Sequence, residues 1–145
     1  KSLIVRKLGV SHRVVCCSPA YAERFGLPQT IDDLLDHTCL TYTNVQASRV
    51  WQFEPATRRG NHRAVAVQGR MMANSPEILC DATIAGLGLA VLPMFVAAPA
   101  LRDGRLIDAL PDAHPLSDTI YAIRPPNGRL PARMRARVIS SERLP

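Results

Sequence analysis

Asn74-Ser75-Pro76-Glu77 is the run whose residue types and order point most directly to binding chemistry. Asn and Ser are favoured caps of a helix N-terminus, Pro suits the first helical turn, and Glu complements the positive end of the macrodipole. A helix start of this kind, entered from a strand, presents backbone N–H groups to an anion. The apolar stretch Leu89-Ala-Val-Leu-Pro93 follows within one helix length and reads as a strand covered on both faces. Ser18-Pro19 repeats the cap-and-proline pattern after another apolar run. The chemistry is that of a small-molecule pocket. Asn74, Ser75 and Glu77 are its first candidates.

Covalent and metal chemistry find little footing. There is no GxSxG, P-loop or HExxH motif, and no Ser-His-Asp order. Glu77 is the one acid near the candidate pocket and has no partner for acid–base work. Cys16, Cys17, Cys39 and Cys80 show no CxxC spacing, which supports neither a zinc site nor a thioredoxin-like motif. They read as buried free thiols, and the mid-strand position of Cys16 and Cys17 argues against a reactive sensor. His12, His37, His62 and His114 are dispersed and read as surface residues. Trp51 and Phe53, on one face of a strand, read as core. No cofactor is expected.

The bulk composition agrees. The 145 residues suffice for a real core, and the apolar fraction of 47% is that of an ordinary globular chain. The net charge of +6 comes from 18 Lys plus Arg against 12 Asp plus Glu, and only Lys1 and Lys7 are Lys. The Arg residues are scattered except for Arg133, Arg135, Arg137 and Arg143, which do not form a tight helical stripe. A solvated face explains them better than a DNA-reading helix. The uncharged stretch 82–101 has bilayer length but carries Gly86, Gly88, Pro93 and Pro99, so it reads as helix end, strand and short helix rather than a membrane span.

The elements that must position the candidates follow from periodicity and breakers. Strands are expected over 3–8, 13–17, 39–42, 50–54, 63–72, 89–93, 105–110 and 119–124. Short helices are expected from Pro19 to a stop at Gly26, from Thr30 to about His37 with Asp33 closing a variant capping box, from Ser75 to Gly86, and over 94–101. Asp103-Gly104 marks a turn, 44–48 and 125–128 loops, and 55–62 a hairpin tip. Pro131 opens a C-terminal helix with Met134, Val138 and the Arg135 stem on its apolar side. The alternation favours an open α/β sheet.

The order of these motifs resembles LysR-type transcriptional regulators. The resemblance runs through Arg6-Lys-Leu-Gly9, Arg13-Val-Val-Cys-Cys-Ser-Pro-Ala-Tyr21, Pro28-Gln-Thr-Ile-Asp-Asp-Leu34 and His37-Thr-Cys-Leu40. It continues through Trp51-Gln-Phe-Glu54, Gly69-Arg-Met-Met-Ala-Asn74, Ala85-Gly-Leu-Gly-Leu-Ala-Val-Leu-Pro93, Gly104-Arg-Leu106 and Pro131-Ala-Arg-Met-Arg135. It implies an α/β fold of the type II periplasmic-binding-protein-like kind, with one near-complete subdomain and part of a second. On that template residues 1–8 form a crossover strand, 9–116 the second effector-binding subdomain, and 117–145 the return to the first. The winged helix-turn-helix and the first half of the first subdomain are expected to lie outside this chain, leaving it marginally stable alone.

The resemblance further implies a cytoplasmic, non-enzymatic sensor of a small, anionic effector held between subdomains. It implies a homo-oligomer formed through this domain, with DNA bound only by the missing N-terminal part and no membrane contact. In that family the helix beginning at Asn74-Ser75-Pro76-Glu77 faces the effector, Ser18 begins a second helix toward it, and Leu92-Pro93 lies along the floor. The resemblance thus implies Ser18, Asn74, Ser75, Glu77, Leu92 and Pro93 as ligand-binding residues, with apolar neighbours suiting the hydrocarbon part of the effector. Two alternatives share the scaffold. A transport system's solute-binding domain would need an extracytoplasmic home, against which four free cysteines count. An enzyme would need an acid–base pair that the sequence does not supply.

Overall fold

A computed structural model of the chain describes residues 4–43 and 49–124. The expected loops at 44–48 and 125–128, the helix opening at Pro131 with Met134 and Val138, and the group Arg133, Arg135, Arg137 and Arg143 lie outside the described residues. The chain divides into two units, one of residues 1–11 with 117–145 and one of residues 12–116.

The larger unit is built on a five-stranded sheet. Its strands are β2 (Arg13–Cys17), β3 (Cys39–Tyr42), β6 (Met72–Ala73), β7 (Leu89–Pro93) and β8 (Ile107–Asp108), in the order β6-β3-β7-β2-β8. β3 runs parallel to both β6 and β7, whereas β2 is antiparallel to β7 and β8. Successive residues of a strand point to opposite faces, and β2 has no polar face to spare. Val14 and Cys16 join Leu40, Ala90 and Leu92 under helices α2 (Pro76–Ile84) and α3 (Met94–Arg102). Val15 and Cys17 point the other way, where Cys39 and Leu89 pack with Tyr21, Leu34, Trp51, Phe53 and Val65. That second face is covered by helix α1 (Pro19–Phe25), a 3-10 helix (Asp32–Asp36) and the hairpin of β4 (Val50–Phe53) and β5 (Arg63–Ala66). The four cysteines are free and buried, and Trp51 and Phe53 are core, as the sequence suggests.

Local signals set the helix ends. Ser18 and Ser75 cap α1 and α2, accepting from the backbone N–H of Tyr21 and Ile78 at 3.1 and 3.4 Å. Gly86, at φ 83°, closes α2: its own N–H donates to the Thr83 carbonyl and that of Leu87 to the Ala82 carbonyl. Asp33 accepts from the N–H groups of Gln29 and Thr30, both at 2.8 Å, which is the reach-back arm of the expected capping box. The helix it supports is a single 3-10 element rather than an α-helix running to His37.

Other differences have identifiable causes. The expected strand 63–72 is two strands in separate sheets. Between them the chain passes so close to β3 that a Cβ on Gly69 would fall on the Cys39 carbonyl oxygen, while Cys39 N–H donates to Gln68 at 2.8 Å. The expected strand 105–110 pairs only over Ile107–Asp108, because it meets β2 at its final two residues. His37 is half-buried rather than free on the surface, with Nδ1 3.0 Å from the Tyr21 hydroxyl.

The smaller unit is an antiparallel ribbon of β1 (Ile4–Ser11) and β9 (Asp118–Arg124), paired from Ile4 opposite Arg124 to Ser11 opposite Asp118 with a register shift between Lys7 and Gly9. β1 thus continues three residues beyond the Leu8 expected as its end. Among the described residues no helix is long and apolar enough to cross a membrane.

Candidate functional site

Strand register decides which candidates share a location. β6, β3 and β7 are parallel, and Tyr42 pairs with Ala73 while Leu40 pairs with Ala90. Their C-terminal ends therefore lie side by side, with Thr43, Asn74 and Pro93 at one edge of the sheet. Two strand spacings, about 10 Å, separate Asn74 from Pro93. β2 starts at that edge, since Arg13 pairs with Pro93. The Met94 N–H donates to His12 at 2.8 Å, and the Thr43 N–H to Ala73 at 2.9 Å, which tie the edge together. Asn74 and Glu77 are exposed, and Ser75 and Pro93 are half-buried. Large apolar side chains open to solvent surround them: Met72, Ile78, Met94 and Phe95, the last 69% exposed. This edge is a polar and apolar rim of the kind small molecules occupy.

Ser18 does not belong to it. β2 and β7 are antiparallel, so the end of β2 lies at the start of β7, away from Pro93. A Cβ on Gly86, at the far end of α2, would come 3.4 Å from the Ser18 hydroxyl. The nine residues of α2 put about 13 Å between that point and Ser75. Ser18 is 3% exposed, and its hydroxyl caps α1. Leu92 is placed at the rim by sequence but points its fully buried side chain into the core beneath α2 and α3. It holds Pro93 in position and does not line the surface.

The α2 N-terminus also differs from the expected open donor set. Pro76 has no N–H. The Ile78 N–H donates to Ser75 Oγ, and the Leu79 N–H to the Ser75 carbonyl at 3.2 Å. The Glu77 carboxylate accepts from the Ser75 hydroxyl at 2.8 Å, and this bond, with a smaller backbone contribution, holds the carboxyl below the ordinary carboxylate range. The Ile78 and Leu79 N–H groups are thus taken by Ser75, and the first turn offers fewer open donors than the cap pattern suggests.

Sequence reasoning did not single out Thr43, Arg13, Met94 or Phe95 for the rim. Cross-strand register brings the first two there, and register leaves no local sequence signal; a Phe two residues after the strand-ending Pro93 was the one available hint. Among the described residues no group of His, Cys, Asp and Glu is arranged to hold a metal.

Comparison with known proteins agrees with this architecture. Residues 1–138 match the family model of the LysR substrate binding domain. An HTH-type transcriptional regulator of Haemophilus influenzae is 33% identical over 133 residues, which cover 92% of this chain and 45% of that protein. The Escherichia coli HTH-type transcriptional regulator YhjC is 40% identical over 117 residues, covering 79% of this chain and 39% of YhjC. The chain therefore spans less than half the length of these curated relatives. Among solved structures, the regulatory domain of AphB from Vibrio vulnificus superposes with a TM-score of 0.74 at 27% identity, covering 97% of this chain and 68% of that one. The full-length Vibrio cholerae virulence activator AphB gives 0.79 at 25% identity, covering 97% and 47%. The mixed sheet with helices on its faces is accordingly that of the type II periplasmic-binding-protein-like regulatory domains. With residues 1–138 matching that family model, this chain belongs to the LysR-type transcriptional regulators, within their substrate-binding domain.

Proposed function

We propose that the chain is the effector-sensing part of a transcriptional regulator and that its effector, a small molecule, binds at the rim formed by Asn74, Ser75, Glu77 and Pro93. The observation that carries this reading is the convergence of three parallel strand ends, with Thr43, Asn74 and Pro93, on one sheet edge rich in exposed apolar side chains. Ligand sites of open α/β sheets favour the carboxyl ends of parallel strands. Residues 12–116 correspond on this reading to the second subdomain, the ribbon strands to the crossovers, and the segment up to residue 145 to the return into the first subdomain. DNA contact belongs to a winged helix-turn-helix elsewhere in such regulators, assembly to a homo-oligomer, and the place of action to the cytoplasm. No bond is made or broken at the rim. The effector acts by binding one state of the regulator more tightly than another.

A thermal-shift screen of aromatic and aliphatic amines, alcohols and carboxylates tests the location. A ligand at about a hundred times its Kd stabilises by roughly 2.7 kcal/mol. Hits on the native chain should vanish in Asn74→Ala while the unliganded Tm stays the same. Ser18→Ala should do the reverse, lowering stability by about 1 kcal/mol through loss of the α1 cap and leaving every hit in place. Hits that persist in Asn74→Ala would move the site away from this rim.

A further inference from the structure

Helix α1 is fastened to the sheet through one side chain. Of its seven residues only Tyr21 is buried, while Phe25, its other large apolar residue, keeps more than half of its surface in water. The Tyr21 ring lies in the cluster that holds Cys17, Leu34 and Cys39, and both thiols are near enough for their charges to act on its hydroxyl. That hydroxyl accepts from the Thr38 N–H at 3.2 Å and stands 3.0 Å from His37 Nδ1. The Thr38 carbonyl in turn accepts from the Leu89 N–H at 2.9 Å, so the contact sits where β3 and β7 both begin.

The proton state of His37 decides whether this contact can exist. Burial raises the Tyr21 phenol above its ordinary range, so it keeps its hydrogen in acid and at neutrality. With the Thr38 N–H on one lone pair, the hydroxyl hydrogen is donated to Nδ1, which accepts only in a neutral ring carrying its proton on Nε2. A proton added to His37 makes Nδ1 a donor and leaves two hydrogens between the same two atoms. Asp33 of the 3-10 helix also faces the ring; its carboxylate, held low chiefly by the N–H groups of Thr30 and Gln29, feels the His37 charge as well. Cys39 Sγ of β3 is 3.8 Å from the His37 carbonyl, and Arg63, which β5 brings to the same 3-10 helix, is paired with Asp32 at 2.6 Å. A solvent-screened carboxylate already bonded to two N–H groups does not offset the loss of an acceptor for a buried hydroxyl.

We propose that Tyr21 and His37 form a proton-operated latch: α1 is held against the start of β3 while His37 is neutral, and comes away from the core when His37 takes a proton, uncovering Cys17 and Cys39. The latch is independent of where an effector binds. With α1 away, the imidazole takes its proton unopposed; with α1 in place, the proton must displace the Tyr21 hydrogen bond. Acid therefore favours the open form and neutrality the closed one, across the range where imidazole ordinarily titrates. Cys16 and Cys80 belong to the opposite face of the sheet, beneath α2 and α3, and stay covered in both.

Thiol labelling with a dithiodipyridine, which reacts in acid as well as at neutrality, reads the latch site by site. The 145-residue chain is labelled at about pH 7.5 and about pH 5.5, on either side of the ordinary histidine value. The labelled positions are assigned by tandem mass spectrometry. Dividing each rate in denaturant by the native rate at the same pH gives the protection of that cysteine. Protection of Cys17 and Cys39 should fall roughly tenfold from neutral to acid, and that of Cys16 and Cys80 should not change. His37→Asn keeps an acceptor near the position of Nδ1 and does not titrate, so it should hold the neutral protection at both pH values. Tyr21→Phe keeps the ring without the hydroxyl and should show the acid level of protection at both. His62→Asn, in the β4–β5 hairpin beside Glu54, should respond to pH as the native chain does. The proposal is overturned if all four thiols lose protection together in acid, which marks a general loosening. It is equally overturned if the pH response survives His37→Asn, or if Cys17 and Cys39 of the native chain are as protected in acid as at neutrality.

Discussion

Each of the four thiols sits where water does not solvate a thiolate. Burial pushes Cys17 up to about 11 and Cys39 to about 12 from an ordinary value of 9.0, and raises Cys16 and Cys80 in the same direction, Cys16 with added repulsion from Cys80. The thiolate is the nucleophile, so these side chains are held inert by the packing that makes them useful as small apolar residues. The linkage has a definite sign. Above pH 9 the unfolded chain releases thiol protons that the folded chain keeps, so stability is full below that pH and declines as pH rises through the raised values. Urea midpoints should therefore be flat from pH 7 to 9 and fall from 9 toward 11. Native chain at pH 8 should resist a thiol reagent that labels all four cysteines in denaturant. Rapid labelling of any one of them without denaturant would contradict its burial. That Cys16 and Cys17 are buried on opposite sides was legible in the sequence, because both neighbours of a doubly covered strand must be apolar. The Glu77 side-chain bonds were not, since a glutamate early in a helix serves equally as a solvated charge or as a cap, and only its rotamer distinguishes the two.

Elements were legible where their signals are local. The cap at Ser75, the stop at Gly86 and the strand 89–93 each follow from residues within one turn of the boundary. The division of 63–72 into β5 and β6 was hidden, because its cause lies in β3, some thirty positions earlier. Gly69 carries that division, with its Cα pressed against the Cys39 carbonyl group. Gly69→Ala forces the two backbones apart and strains the Cys39-to-Gln68 hydrogen bond that positions β3. The expected cost is about 3 kcal/mol, at the upper end for overpacking because backbone rather than a side chain must yield. Chemical denaturation should show the loss, and a Tm within a degree or two of the native value would contradict the close approach of the two backbones. The position of Ser18 was misread for a related reason. A strand followed by a capped helix looks the same in sequence whichever way the strand runs, and the antiparallel pairing of β2 with β7 sends its cap to the opposite end from the rim.

At the scale of the molecule, both buried clusters lie within residues 12–116. Both ends of that unit are also fastened inside it. Near the start the Met94 N–H donates to His12, and near the end the Leu116 N–H donates to Gln52 and the Glu54 N–H to His114. A chain trimmed to 12–116 should thus keep a single cooperative urea transition, with a midpoint close to that of the complete chain. The ribbon has a different character. Val5, Tyr121 and Ile123 are each more than half exposed on an antiparallel pair, and two strands alone bury too little to be stable by themselves. Exposed apolar strands with unpaired edges invite association with other chains. Removing residues 1–11 and 117–145 should therefore shift the elution of a concentrated sample toward the monomer while the urea midpoint holds. If the trimmed chain instead unfolds gradually, the ribbon contributes to the core's cooperativity, and the larger unit is not an autonomous folding body.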